Sequence, residues 1–126
     1  MNIDQFKDKK VLYVEDDVSI MKSFSTILNK IFGEVVTAQN GQEGIEVFKQ
    51  NKDVSFIISD IKMPKMDGLD MLKEIKDIGT NSPFILTTAH GEYDYFLRAD
   101  EIGVYRYIQK PININELVQA LIEYKS

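Results

Sequence analysis

Hydrophobic and polar positions alternate between two rhythms along this chain. Five short runs rich in β-branched and aromatic residues read as strands: VLYV (11–14), EVVTA (34–38), VSFIIS (54–59), FILTT (84–88) and VYRYI (104–108). Between them apolar residues recur at helical spacing: Ile20, Phe24, Ile27, Leu28 and Ile31, then Gly68, Met71, Leu72, Ile75 and Ile78. The clearest stripe is the last, made by Ile114, Leu117, Val118, Leu121 and Ile122. Asn40 with Glu43, and Asn113 with Glu116, carry the capping-box signature of helix starts. Five strands alternating with five helices predict an α/β domain, a parallel sheet with helices on both faces. VLYV, FIIS and FILTT fit that architecture because their apolar residues are continuous, as strands buried on both sides require.

Composition narrows the picture without changing it. At 126 residues and 44% hydrophobic content the chain supports one domain, taken as residues 10–126, behind a polar, loosely held leader over residues 1–9. The net charge is -5 and no basic run is longer than Lys9-Lys10, which argues against direct nucleic-acid binding. There is no cysteine, and no apolar run has the length of a signal core or a membrane span. A cytoplasmic protein with no membrane association is the default expectation.

Chemistry enters at the strand ends, where open parallel sheets bind their ligands. The first strand ends in Glu15, Asp16 and Asp17, the third in Asp60, the fourth in TTAH (87–90), and the fifth in Gln109, Lys110 and Pro111. Clustered carboxylates repel one another in a partly dry crevice unless a cation sits among them. Oxygen-only ligands favour Mg²⁺ or Mn²⁺ over zinc. A cation together with the Lys110 ammonium would clamp a transferring phosphoryl group, and Asp60 could accept it as an acyl phosphate.

VLYVEDD, IISDIKMPKMDG, LTTAH and YIQKPI, in this order at the ends of strands one, three, four and five, resemble the receiver domain of two-component response regulators, in a chemotaxis-type, single-domain-like form. The resemblance covers residues 10–124. It implies the flavodoxin-like receiver fold with strand order 2-1-3-4-5, and Asp60 as phosphoacceptor. It further implies Glu15 and Asp16 as the metal-binding acidic pair, completed by Asp60 and the Lys62 carbonyl. Thr88 would be the switch hydroxyl, Tyr107 the switch aromatic, Lys110 the lysine of the site and Ala89 its small residue, with a cis Lys110-Pro111 bond. Lys62 and His90 stand where the family tunes hydrolysis, and a long Lys62 is expected to shield the acyl phosphate. The chain would not be a conventional enzyme. It would catalyse its own Mg²⁺-dependent phosphorylation and slow autodephosphorylation.

The implied partners are a sensor histidine kinase or histidine phosphotransfer protein upstream, and a protein target or attached effector domain downstream. The output face would be helix four, strand five and helix five, including Tyr93, Tyr95, Phe96, Tyr105 and Arg106. Tyr105 and Arg106 replace an acidic pair common in DNA-binding regulators, which argues against that type of dimer. The chain reads either as a stand-alone regulator or as a fragment of a longer one.

Other readings of the same residues are weaker. Asp17 is also an N-cap, and Thr87 a strand residue chosen for β propensity. A flavin carrier would need a glycine- and hydroxyl-rich phosphate loop where EDDVS stands. An aspartate-based phosphohydrolase would need an acid where Lys62 stands. A phosphorylation-independent pseudoreceiver, acting only as an interaction module, is the remaining alternative.

Overall fold

The computed structural model describes residues 3–89 and 95–124. Its strands are β1 (Lys10–Val14), β2 (Glu34–Ala38), β3 (Phe56–Asp60), β4 (Phe84–Thr88) and β5 (Arg106–Gln109). They alternate with α1 (Val18–Ile31), α2 (Gly41–Gln50), α3 (Gly68–Ile78), α4 (Phe96–Ile102) and α5 (Ile114–Glu123). All strand pairs are parallel and the order is β2-β1-β3-β4-β5, the predicted doubly wound sheet.

Strand alternation explains the continuous apolar runs. Val11, Tyr13, Ile58, Ile85 and Ile108 face a core shared with α1 and α5, whereas Leu12, Val14, Ile57 and Leu86 face a second core against α2, α3 and α4. Neither face of β1, β3 or β4 meets water, so an alternating polar pattern would bury unpaired groups. The predicted helix starts are present as side-chain caps. Asp17 Oδ1 accepts from the Ile20 amide, Asn40 Oδ1 from Glu43, and Asn113 Oδ1 from Glu116.

The third strand runs Phe56–Asp60 where the pattern predicts 54–59, and Ile78 at the end of the α3 stripe is exposed; three further details also depart from the pattern. The fifth strand begins at Arg106, because Val104 and Tyr105 form the link after Gly103, where their amides bond to the Ala99 and Phe84 carbonyls respectively. In α1 the inward stripe is Met21, Phe24, Leu28 and Ile31, while Ile20 is exposed and Ile27 is only partly buried. Within the segment read as a loosely held leader, Asp4–Phe6 forms a 3₁₀ turn that buries Phe6 against Phe32 and Phe56. One aromatic in a polar stretch has no periodicity to betray it.

Candidate functional site

The carboxyl ends of β1 and β3 lie side by side at the centre of the sheet. Asp60 is the last residue of β3 and is 7% exposed, and Glu15, just beyond β1, is 1% exposed. With the exposed Asp16 they place carboxylate oxygens within 4.8 Å of one another. Lys110, just beyond β5, reaches into this group, its Nζ 2.8 Å from Asp60 Oδ2 and 3.0 Å from Glu15 Oε1. The remaining oxygens are also held: Asp60 Oδ1 accepts from the Ile61 amide at 3.0 Å and Glu15 Oε2 from the Asp17 amide at 3.2 Å. The Lys110-Pro111 peptide that turns the chain here is cis.

Electrostatics follow from burial and neighbours. Burial pushes the Glu15 carboxyl above its usual range, with Asp60 adding to the shift, although Lys110 and the Asp17 amide oppose it. Burial alone would lower Lys110, but its bonds to Asp60 and Glu15 outweigh that and raise it. Three acids around one ammonium leave an excess of two negative charges, the charge of one divalent cation. The donor set is oxygen-only, which suits a hard cation.

Thr88 closes β4, is 4% exposed, and is tied to the site through its carbonyl, which accepts from the Lys110 amide at 2.7 Å. Tyr107 lies on the opposite side of β5 from Lys110. Its ring packs on Phe96 at 4.6 Å, and its hydroxyl donates to Asp100 Oδ1 at 2.5 Å, with the Phe96 carbonyl oxygen 3.3 Å away. Burial, then Asp100, pushes the Tyr107 phenol up to about 12. The Lys62 side chain is exposed and its Nζ stands 5.8 Å from the centre of the Tyr95 ring. His90 and Tyr93 lie outside the described residues. Sequence reasoning missed Asp100, which belongs to no motif, and the hydroxyl of Tyr13, which lies in VLYVEDD but reads there only as part of an apolar strand.

A family model of the response regulator receiver domain matches residues 11–122. The chain belongs to the response regulator receiver domain family. Receiver-bearing relatives include the transcriptional regulatory protein GlrR of Escherichia coli (strain K12), 35% identical over 115 residues. That match takes in 91% of this chain and 26% of GlrR, so the chain spans about a quarter of that relative's length. The sporulation initiation phosphotransferase F of Bacillus subtilis (strain 168) is 30% identical over 117 residues, covering 93% of this chain and 94% of the relative. Among solved structures, the N-terminal domain of an uncharacterized protein from Wolinella succinogenes superposes with a TM-score of 0.85 at 39% identity, covering 91% of this chain and 92% of that one. In this receiver domain no helix among the described residues is long and apolar enough to cross a membrane.

Proposed function

We propose that this receiver domain accepts a phosphoryl group on Asp60 from a phosphohistidine of a sensor kinase or histidine phosphotransfer protein, and so controls a downstream protein or an attached effector. The observation that carries the reading is Lys110 Nζ at 2.8 Å from Asp60, inside a ring of acids at the end of the central strand. In the reaction an Asp60 carboxylate oxygen attacks phosphorus, the phosphorus–nitrogen bond breaks, and its electron pair leaves with the imidazole. Lys110 is placed to follow the charge from the carboxylate to the phosphoryl oxygens. Glu15, Asp16, Asp60 and the Lys62 carbonyl would hold a divalent cation, Mg²⁺ or Mn²⁺, which supplies neutralisation of phosphoryl charge when bound.

Thr88 is the proposed switch hydroxyl and Tyr107 the aromatic that responds, with Lys62 and His90 setting the lifetime of the acyl phosphate. An apolar recess of about 620 Å³, lined by Ile20, Phe24, Ile27, Ala89 and Ile112, opens beside Lys110 and leaves room for a donor's surface. Incubation with Mg²⁺ and acetyl phosphate, followed by intact mass under mild conditions, tests the reading. One phosphoryl adduct on the wild type and none on Asp60→Asn is expected. No adduct on the wild type, or one that persists in Asp60→Asn, rejects Asp60 as phosphoacceptor and favours an interaction module that works without phosphorylation.

A further inference from the structure

The hydroxyl of Tyr13 is a buried polar group to which phosphoryl transfer gives no obvious part. Tyr13 lies within β1, has no exposed surface, and meets Phe24 of α1 edge-on with ring centres 5.3 Å apart. Its neighbours on the strand are Val11, Leu12 and Val14. Packing alone would be served by a phenylalanine there, whereas a phenol brings a hydroxyl that is costly to bury without a partner. That partner is Glu15 Oε1, at 3.5 Å. Residues two apart on a strand share a face, so Tyr13 and Glu15 both point to the side of α1 and α5.

Glu15 Oε1 also accepts from Lys110 Nζ at 3.0 Å, and Lys110 in turn reaches Asp60 at 2.8 Å. A polar chain therefore runs from the closed core to the phosphoacceptor: Tyr13, Glu15, Lys110, Asp60. The donors differ in rigidity. The Asp17 amide belongs to an exposed loop, and Lys110 must leave part of its bonding to meet a phosphoryl group. Tyr13 alone is anchored within the central sheet.

We infer that Tyr13 is a positioning residue, whose hydroxyl fixes the buried Glu15 carboxylate for the cation and for Lys110. The inference rests on the proposed role of Glu15 as a cation ligand.

The experiment titrates Mn²⁺ into wild type, Tyr13→Phe, Glu15→Gln and the double variant, following the free ion by electron paramagnetic resonance, with thermal melting alongside. Tyr13→Phe is expected to raise the Mn²⁺ dissociation constant about tenfold, the lower end of what hydrogen bonds behind a metal ligand supply. In the Glu15→Gln background the same change should add nothing, because the carboxylate it acts on is gone. Tyr13→Leu should repeat the affinity loss at a lower melting temperature, so that the loss follows the hydroxyl and not stability. Wild-type Mn²⁺ binding by Tyr13→Phe, with Glu15→Gln weakened, overturns the positioning role and leaves Glu15 as a ligand. Additive losses in the double variant overturn it as well. Unweakened binding by Glu15→Gln overturns the ligand assignment, and the role of Tyr13 with it.

Discussion

Gly68, the first residue of α3, sets how closely that helix approaches Asp60. A Cβ built there would lie 2.1 Å from the Asp60 carbonyl oxygen and 3.1 Å from both the Asp60 carbonyl carbon and Ser59 Oγ. Carbon and oxygen settle no closer than about 3.3 Å, so Gly68→Ala requires a displacement of about 1 Å. The obstacle is backbone, and it is fixed twice: the Asp60 carbonyl accepts from Ser59 Oγ at 2.8 Å, and the Gly68 amide donates to the Ile61 carbonyl at 2.6 Å. Either α3 lifts or the end of β3 moves, and both routes disturb Asp60. Overpacking of this kind costs about 1–3 kcal/mol, at about 3–5 °C of melting temperature per kcal/mol for a chain of this size. Misplacing a reacting group by about 1 Å can cost about 100-fold in rate.

Gly79→Ala is the matched control at the other end of α3. Gly79 has φ +118° with nothing within 4 Å of a new Cβ, so the penalty there is backbone strain alone, about 1–3 kcal/mol. Thermal melting and the initial rate of phosphorylation by acetyl phosphate should therefore separate the two variants. Both should melt lower, and only Gly68→Ala should lose rate. Wild-type melting and rate in Gly68→Ala would refute the steric reasoning. An equal loss of rate in Gly79→Ala would show that rate follows stability and not the placement of Asp60.

Two further predictions concern the proposed switch residue Tyr107 and the proposed shield Lys62. Asp100→Asn replaces a charged acceptor of the Tyr107 hydroxyl with a neutral one, a loss of about 1 kcal/mol and so about fivefold in the population of alternative Tyr107 positions. Ultraviolet titration should show the Tyr107 phenol falling from about 12 toward its ordinary value, though not reaching it because burial remains the larger cause; an unchanged titration counts against the contact. Lys62→Asn removes a side chain that reaches across to the Tyr95 ring, and should speed dephosphorylation several-fold when phosphorylated protein is followed by mass after quenching the donor. Equal lifetimes would dismiss Lys62 as a shield.

Which features the sequence disclosed depends on how locally each is encoded. β4 matches its predicted span because its apolar run ends where the sheet's buried faces end, and the edge strand β2 matches through the β-branched run Val35–Thr37. The caps at Asp17, Asn40 and Asn113 could be read because cap and amide are three residues apart. β5 begins two residues later than the pattern predicts because Val104 and Tyr105 have strand propensity, yet form the link after α4, with the Val104 amide bonded back to the Ala99 carbonyl of that helix. The α4 segment has seven residues, too few for a stripe, and Leu97 is 73% exposed. At the site, Glu15, Asp60 and Lys110 could be placed together because each ends a strand. The bonds from Tyr107 to Asp100 and from Tyr13 to Glu15 depend on side-chain direction, which no strand-end rule supplies.

Under the proposed function, the spacing of Tyr107 and Lys110 joins the chemistry to the output. Three residues along one extended segment place two side chains on opposite faces. Lys110 therefore meets Asp60 and Glu15 on the side of α1 and α5, while Tyr107 packs against Phe96 and Asp100 of α4. Leu86 and Ile108 between the faces are fully buried, and a close-packed interior offers little room for a graded shift. The bond from the Lys110 amide to the Thr88 carbonyl ties the tops of β4 and β5 together, so charge added at Asp60 acts on Lys110 and Thr88 as a unit. A shift of population from 1:99 to 99:1 needs about 5.5 kcal/mol, and one hydrogen bond to a charged group supplies about 1.5–3 kcal/mol. Under the proposed function Thr88 alone cannot complete the switch. The bonds that hold Tyr107 to α4 oppose it directly, which makes Asp100 as much a determinant of the phosphorylated population as the residues that touch the phosphoryl group.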